Sequence, residues 1–151
     1  MTLSVRNMKP SDIDAVYSIE MAAHRAPWPR EILAECLHAG FDCRVLESQE
    51  GENVSVVSYV MCRYTENSCH ILNLCVTPPL QGKGYGQLLL QNIIDSPAEA
   101  FVYKLVLEVR PSNIIANRLY KKMGFQQVAI KRGYYRDTQS IEDAIILEKQ
   151  L

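Results

Sequence analysis

The chain has 151 residues, which is near the commonest size of a single domain and long enough to bury a core. Its 48% hydrophobic and 22% charged residues are typical of a globular protein, and a formal net charge of −1 gives no overall attraction to nucleic acid or to an anionic membrane. Five cysteines without CxxC spacing predict reduced, mostly buried thiols and argue against a disulfide framework or a zinc site. The sequence has neither a signal-peptide core nor an apolar run of about 20 residues to span a bilayer, so we expect a cytoplasmic protein.

The first half of the chain predicts a strand, two helices and three further strands. A short strand is expected at Leu3 to Asn7, and Ser11 after a proline is the expected N-cap of a helix that continues to about Glu20. Prolines on both sides of Trp28 separate this helix from a second one at about Arg30 to His38. The next three strands are expected at Phe41 to Ser48, Val54 to Tyr64 and Cys69 to Val76, joined by turn-rich segments short enough for hairpins.

The second half predicts two helices alternating with strands. Helices are expected at about Gly84 to Asp95 and Ser112 to Met123, and strands at Phe101 to Val109, Phe125 to Lys131 and Ile141 to Lys149, the last two joined by a tyrosine-rich loop. A strand, helix and strand in succession imply one central parallel pair in an otherwise antiparallel sheet. The expected architecture is therefore α/β (α+β): a mixed sheet of six to seven strands with about four helices. Since no repeat or linker interrupts it, we expect one domain over residues 1–151.

A glycine-rich segment, Gln81-Gly82-Lys83-Gly84-Tyr85-Gly86, joins a predicted strand to a predicted helix. Glycines let a backbone approach a ligand closely, and the first turn of a helix offers unpaired N–H groups and about half a positive charge. The segment therefore predicts a site for a pyrophosphate, to which Lys83 adds charge unless it is simply solvated. The Walker and dinucleotide motifs are excluded, because Gln87 follows Gly86 and the glycine spacing differs from both. A glycine-rich turn without function is the alternative.

The same segment resembles the Arg/Gln-x-x-Gly-x-Gly/Ala signature of the GCN5-related N-acetyltransferases (GNAT), in which it holds the pyrophosphate of CoA. Within that family the match is strongest to the branch of ribosomal-protein-alanine N-acetyltransferases. The motifs that carry this match are Ala23-His24 with Pro27-Trp28, Leu107-Glu108-Val109-Arg110 with Ser112-Asn113, Leu119-Tyr120, Gly124-Phe125, Tyr134-Tyr135 and Glu142-Asp143-Ala144-Ile145-Ile146. The resemblance covers nearly the whole chain. It implies the GNAT fold with a splayed parallel pair, acetyl-CoA as cosubstrate and the N-terminal alanine of ribosomal protein bS18 as acceptor.

Two side chains are the candidate catalytic groups. Glu108 ends an apolar strand, where partial desolvation is expected to raise the carboxyl pKa, and the resemblance assigns the general base to this position. The alternative is a rim glutamate paired with Arg110 or another basic group. Tyr120 is the candidate acid for the thiolate leaving group, on a helical stripe with Asn113 and opposite an apolar set that includes Ile115. The alternative for Tyr120 is a half-buried tyrosine that covers the core.

The resemblance also implies the residues that bind cosubstrate and acceptor. The backbone of Leu74, Cys75 and Val76 is expected to bind CoA and hold the oxyanion, together with Asn113 and the loop residues Gly82, Lys83, Gly84, Tyr85, Gly86 and Gln87. Trp28, Tyr134 and Tyr135 are expected to flank the slot for a peptide N-terminus, although anchoring of a loop is an equal alternative for Trp28.

Other chemistries are weaker predictions. Cys75 in an apolar strand is expected to be inert rather than a covalent nucleophile, so attack is expected in a ternary complex. His24, His38 and His70 have no metal-ligand spacing, so no metal is expected and each histidine is expected to be structural or exposed. The basic, aromatic segment from Lys131 to Arg136 alone does not predict nucleic-acid binding. A small-molecule amine or a lysine side chain as acceptor, and a non-catalytic acyl-CoA-binding module, remain the alternative functions.

Overall fold

The computed structural model describes all 151 residues, from Met1 to Leu151. It contains four α-helices and seven strands. The helices are α1 (Ile13–Ala23), α2 (Arg30–His38), α3 (Tyr85–Asp95) and α4 (Ile114–Lys122). The strands are β1 (Thr2–Asn7), β2 (Asp42–Glu50), β3 (Asn53–Thr65), β4 (Ser68–Val76), β5 (Lys104–Val109), β6 (Gln126–Arg136) and β7 (Ile141–Gln150). Short 3₁₀ turns at Pro10–Asp12 and Pro78–Leu80 precede α1 and the glycine-rich segment.

The seven strands are hydrogen-bonded neighbours in the order β1-β2-β3-β4-β5-β7-β6. The pairs β1–β2, β2–β3, β5–β7 and β6–β7 are antiparallel, whereas β4 and β5 run parallel. The predicted mixed sheet with a central parallel pair is therefore confirmed. The parallel ladder is short, because it contains only the residue pairs from Ser68↔Lys104 to Ile71↔Leu107.

The chain forms two compact units, each made of two segments. The first unit comprises Met1–Arg63 and Asn73–Ala98. Its apolar interior contains fully buried side chains from α1, α2, β2 and β3, among them Val16, Leu33, Val45 and Tyr59. The face of α1 toward this core also carries a charged residue, Glu20, with 1% of its surface exposed.

The second unit comprises Tyr64–Leu72 and Glu99–Leu151, and β5 lies between β4 and β7 within it. Leu105, Leu107 and Val109 of β5 are buried, whereas the alternate residues are only partly buried. This alternation agrees with the predicted faces of the strand. At the sheet edge, β6 is exposed along most of its length. The one domain expected over residues 1–151 stays a prediction.

Four local predictions are wrong. Ser11 does not cap α1, because residues 10–12 form a 3₁₀ turn and the helix begins at Ile13 without a side-chain cap. The strand expected from Phe101 begins at Lys104, since Phe101 has a φ of +59° and is 75% exposed. Tyr134 and Tyr135 belong to β6 rather than to a loop. Ile115 is 56% exposed and so does not form the buried side of α4.

The five cysteines are free thiols, and all but Cys36 are buried, as predicted. None of the helices is both long enough and apolar enough to cross a membrane.

The buried face of β5 gives a first testable prediction. Leu105 is 1% exposed, so Leu105→Ala removes a side chain from a packed interior and is expected to lower the free energy of unfolding by about 2–5 kcal/mol. Urea denaturation followed by circular dichroism measures the change. Leu88→Ala is the matched control, because Leu88 is 38% exposed and its truncation is expected to cost less than about 1 kcal/mol. Equal losses in the two variants would contradict the observed burial of β5.

Candidate active site

The glycine-rich segment forms a turn that only glycine adopts readily. Gly82 and Gly84 have φ angles of +80° and +86°, in the left-handed region, and Gly84 is the N-cap of α3. A Cβ atom on either residue would meet nothing within 4 Å, so the glycines are required by backbone conformation and the space outside them is open. The Gln81 side chain fixes the turn by donating from Nε2 to the carbonyl oxygen of Val76 at 3.1 Å.

The first turn of α3 offers backbone donors beside these glycines. The amide of Leu88 donates to the carbonyl oxygen of Gly84 at 3.1 Å. The amides of Tyr85, Gly86 and Gln87 come before it, where helix geometry supplies no acceptor. Together with the positive end of the helix dipole, these amides suit a phosphate group. These amides and the open space outside Gly82 and Gly84 are compatible with a phosphate site, which stays a prediction.

The end of β4 extends past its parallel partner. The ladder with β5 stops at Ile71, so Leu74, Cys75 and Val76 lie beyond it. Val57 and Ser58 of β3 bond this end of β4: the Ser58 hydroxyl donates to the Cys75 carbonyl at 2.8 Å, and the Thr77 amide donates to the Val57 carbonyl at 2.9 Å. The splay implied by the resemblance is consistent with this short ladder. Burial raises the pKa of the Cys75 thiol to about 12, which agrees with an inert cysteine.

Glu108 lies on β5 with two basic neighbours. The His70 ring donates from Nε2 to Glu108 Oε2 at 2.6 Å, and Lys131 Nζ lies 3.5 Å from Glu108 Oε1. The carboxylate is 14% exposed. Arg110, one alternative partner considered from sequence, pairs instead with Glu142 at 3.2 Å. Glu108 therefore pairs with basic groups, as the alternative considered from sequence allowed, and its role as general base stays a prediction.

The direction of the Glu108 pKa shift is opposite to the one expected from sequence. The hydrogen bond from His70 holds the pKa of the carboxyl below its ordinary value, and Lys131 lowers it further. Burial acts in the raising direction but is the smaller effect. The side chain is therefore a carboxylate throughout the neutral range.

His70 is the site residue that sequence reasoning missed. It lies on β4 opposite Val106 in the parallel ladder, and Val106 shares a face with Glu108 two residues on. The sequence contains the alternation on each strand but not the register between them. Only the observed pairing brings the imidazole to the carboxylate.

Tyr120 is buried in α4, with 6% of its surface exposed. Its ring packs against Phe125 with the centroids 5.4 Å apart. Asn113 is the N-cap of the same helix and accepts a hydrogen bond from the Ala116 amide at 3.1 Å. Asn117 donates to the Asn113 carbonyl at 2.8 Å. Tyr120 as an acid and Asn113 as a CoA contact both stay predictions.

Tyr134 and Tyr135 lie at an irregularity in β6. Lys131 pairs with Ala144 and Tyr135 pairs with Glu142, so four steps along β6 match two along β7. Tyr134 is 51% exposed, whereas Tyr135 is half-buried with the Arg110 guanidinium 4.3 Å from its ring centroid. Burial, with the nearby charge of Glu108, raises the pKa of Tyr135 to about 12. Tyr135 is thus a neutral phenol near the Glu108 carboxylate.

Trp28 lies between α1 and α2, and its side chain packs against the core of the first unit. Its backbone amide donates to Oε2 of Glu20 at 2.9 Å. Both of the roles considered from sequence, acceptor contact and loop anchor, are compatible with this position.

One cluster has ligand types that metals use. Glu20, His24 and Cys75 bring potential ligand atoms within 4.8 Å of one another. The Glu20 carboxylate already accepts hydrogen bonds from Tyr59 and Asn73, and the Cys75 thiol is strongly disfavoured as a thiolate. The donor set therefore suits a hydrogen-bonded carboxylate better than a metal, and the absence of a metal stays a prediction.

Comparison with known proteins gives a family match across most of the chain. The model of the acetyltransferase (GNAT) family matches residues 13–125. The ribosomal protein bS18-alanine N-acetyltransferase of Escherichia coli (strain K12) is 33% identical over 144 residues, 95% of each chain. The enzyme of the same name from Haemophilus influenzae is 32% identical over 144 residues, again 95% of each chain.

A solved structure agrees with these relatives. The crystal structure of the ribosomal-protein-S18-alanine N-acetyltransferase from Escherichia coli matches this fold with a TM-score of 0.87 at 31% sequence identity. The match covers 99% of this chain and 94% of that one. The fold predicted from sequence is thereby confirmed.

The Glu108–His70 contact gives a second prediction. In His70→Ala the largest cause of the lowered Glu108 pKa is lost while burial remains, so the pKa of Glu108 is expected to rise. Titration of the Glu108 side-chain carboxyl by ¹³C NMR measures it. Lys131→Ala is the matched control, with a smaller expected rise because Lys131 lies farther away and contributes less. An unchanged pKa in His70→Ala would show that the hydrogen bond does not control this carboxyl.

Proposed function

The chain belongs to the acetyltransferase (GNAT) family, and from that premise we propose that it transfers the acetyl group of acetyl-CoA to the N-terminal α-amine of a protein. The observation that carries this proposal is the Glu108 carboxylate, kept ionised by His70 on a strand whose sequence resembles the segment to which the family's general base is assigned. The acceptor that we propose is the N-terminal alanine of ribosomal protein bS18. Relatives that match 95% of the chain are named for acetylating this alanine. Because ribosomal proteins are made in the cytoplasm, we also propose a cytoplasmic location.

We assign the cosubstrate to the glycine-rich segment and the end of β4. The free amides at the start of α3 would bind the pyrophosphate of acetyl-CoA, and the left-handed turns at Gly82 and Gly84 lead into them. Lys83 is exposed in the same turn and adds positive charge. Backbone groups of Leu74 to Val76, beyond the β5 ladder, would bind the rest of the cosubstrate and stabilise the oxyanion.

The transfer has three chemical requirements. The α-amine must be neutral, the tetrahedral oxyanion must be stabilised, and the departing thiolate must receive a proton. An α-amino group titrates near pH 7.7–8.0, so roughly a tenth of it is already neutral at pH 7. A side chain that attracts the amine and accepts its proton as the bond forms completes the first requirement.

In the proposed reaction the amine nitrogen attacks the thioester carbonyl carbon directly, and a C–N bond forms. Glu108, which accepts a hydrogen bond from His70, attracts the amine and accepts its proton. The C–S bond then breaks, and the CoA thiolate takes a proton from Tyr120. Glu108 releases the proton of the amine to solvent and Tyr120 regains one from solvent, so both groups return to their starting states. A covalent route through Cys75 is disfavoured, because a thiol with a pKa of about 12 supplies almost no nucleophile.

For the acceptor we propose Trp28, Tyr134 and Tyr135 as the contacts. Tyr135 remains a neutral phenol and can donate a hydrogen bond, while Tyr134 is exposed beside it with the two rings 4.9 Å apart. Large amphipathic side chains bind a peptide with little loss of conformational freedom. A free α-amine beside Tyr135 would meet the negative charge of Glu108.

Acceptor choice is the third testable prediction. The purified chain with acetyl-CoA is expected to acetylate a peptide that begins with the bS18 alanine, and mass spectrometry is expected to place the acetyl group on the α-amine. The same peptide with a blocked N-terminus and an internal lysine is the matched control and should not react. Modification of that lysine or of free polyamines, with the Ala peptide untouched, would refute the proposed acceptor. Binding of CoA without turnover would favour a non-catalytic module.

The catalytic assignments give a fourth prediction. Glu108→Gln and Tyr120→Phe are each expected to lower kcat by about 10²–10⁴-fold, since each removes a group that transfers a proton. Steady-state release of the CoA thiol measures the change. Glu52→Gln is the control, because it removes one carboxylate from an exposed turn. Unchanged kcat in both catalytic variants would refute the mechanism while leaving the family and fold intact.

A further inference from the structure

Glu20 is the most buried carboxylate of the chain, with 1% of its surface exposed. It lies in the last turns of α1, on the face that packs into the apolar interior of the first unit. Burial of an ionised side chain is unfavourable unless hydrogen bonds replace its water. Its position therefore requires an explanation from its partners.

The two carboxylate oxygens of Glu20 have different partners. Oε1 accepts from the Tyr59 hydroxyl on β3 and from Asn73 Nδ2 on β4, the latter at 2.9 Å. Asn73 Nδ2 also lies 3.0 Å from the Tyr59 hydroxyl oxygen, so the three side chains form one network. Oε2 accepts from a backbone donor, the amide of Trp28, at 2.9 Å.

One side chain thus connects α1, two strands and the segment between α1 and α2. Asn73 immediately precedes Leu74–Val76, the end of β4 to which we assign the oxyanion and part of the cosubstrate. Trp28 is the residue that we assign to the acceptor. His24 Nε2 lies 3.3 Å from Glu20 Oε1, so it also faces this carboxylate.

We propose that Glu20 is a positioning residue that fixes the Trp28 segment relative to the end of β4 and thereby sets the affinity for the acceptor peptide. The proposal rests on the proposed function in taking Trp28 as an acceptor contact. Glu20 touches neither reacting group, so its effect on the reaction is through Trp28. Its loss should therefore raise the KM for the peptide and leave the KM for acetyl-CoA nearly unchanged.

Glu20→Gln is the sharpest test because it keeps the shape of the side chain. A glutamine amide has one acceptor oxygen and one NH₂ donor. Its NH₂ group must therefore face a donor, which is either the Trp28 N–H or the pair formed by Tyr59 and Asn73. Loss of a hydrogen bond to a charged group predicts a rise of about tenfold or more in the peptide KM. The melting temperature and the KM for acetyl-CoA are measured in the same preparation.

Trp28 is the single tryptophan of the chain, so its fluorescence reports on the segment without any turnover. Quenching by acrylamide is expected to increase in Glu20→Gln. It should stay unchanged in Tyr59→Phe, which keeps the bond between Glu20 and the Trp28 amide, and in Glu35→Gln, which removes an exposed carboxylate from α2. A merely structural role would lower the melting temperature without separating the two KM values.

The unaltered chain provides a test that does not depend on folding of the variant. By NMR, the Trp28 amide is expected to exchange with solvent more slowly than the amide of Ala26, in the same segment, because Glu20 accepts from it. Equal exchange rates, or a Glu20→Gln variant that acetylates peptide with an unchanged peptide KM, would overturn the proposal. If the unaltered chain acetylates no peptide, the proposed function fails, and amide exchange with quenching still decides whether Glu20 fixes the segment.

Discussion

The four parallel residue pairs between β4 and β5 are the constraint from which the other features of the site follow. Parallel neighbours cannot be joined by a tight turn, so the chain leaves β4, passes through α3 and returns as β5. The start of α3 therefore comes shortly after the end of β4, and Gly82 and Gly84 supply the left-handed turns between them. The same ladder sets His70 opposite Val106, which brings the imidazole beside Glu108. The proposed phosphate site and the carboxylate–imidazole pair both follow from this one strand pairing.

Glu108 and Glu20 are both poorly hydrated carboxylates, and their partners give them different properties. Glu108 has His70 and Lys131 as partners, a histidine and a lysine, so its negative charge is favoured and its pKa is lowered. Glu20 accepts mainly from neutral donors: a phenol, a side-chain amide and the backbone amide of Trp28. Neutral donors fix the orientation of a carboxylate by direction rather than by charge. Partly exposed Glu108 suits an exchange of protons with a ligand, whereas Glu20 suits the connection of segments within the protein.

Much of the fold could be predicted because its signals are local. The alternation in β5 and the glycines before α3 depend only on neighbouring residues, and both agree with the structure. The contact between His70 and Glu108 could not be predicted, because the two residues are 38 positions apart and meet only through the register between their strands. The sign of the Glu108 pKa shift was wrong for the same reason, since the imidazole outweighs burial. Tyr134 and Tyr135 were expected in a loop because charged residues and Gly133 interrupt the strand pattern, yet an exposed edge strand with a bulge accommodates all of them.

The lowered pKa of Glu108 restricts how the proton leaves the amine in the proposed reaction. A carboxyl group whose pKa is lowered is a weak base when ionised, so it cannot hold a proton taken from an α-ammonium for long. Its charge, however, attracts the ammonium form of the amine, and the hydrogen bond from His70 holds the carboxylate in its position. Roughly a tenth of the α-amine is already neutral at pH 7, so a strong base is not required. A lysine side chain has a pKa near 10.4, so at pH 7 only about one lysine in a thousand or fewer is neutral. In the proposed reaction, a weak base that is ionised at neutral pH therefore favours an α-amine over a lysine as acceptor.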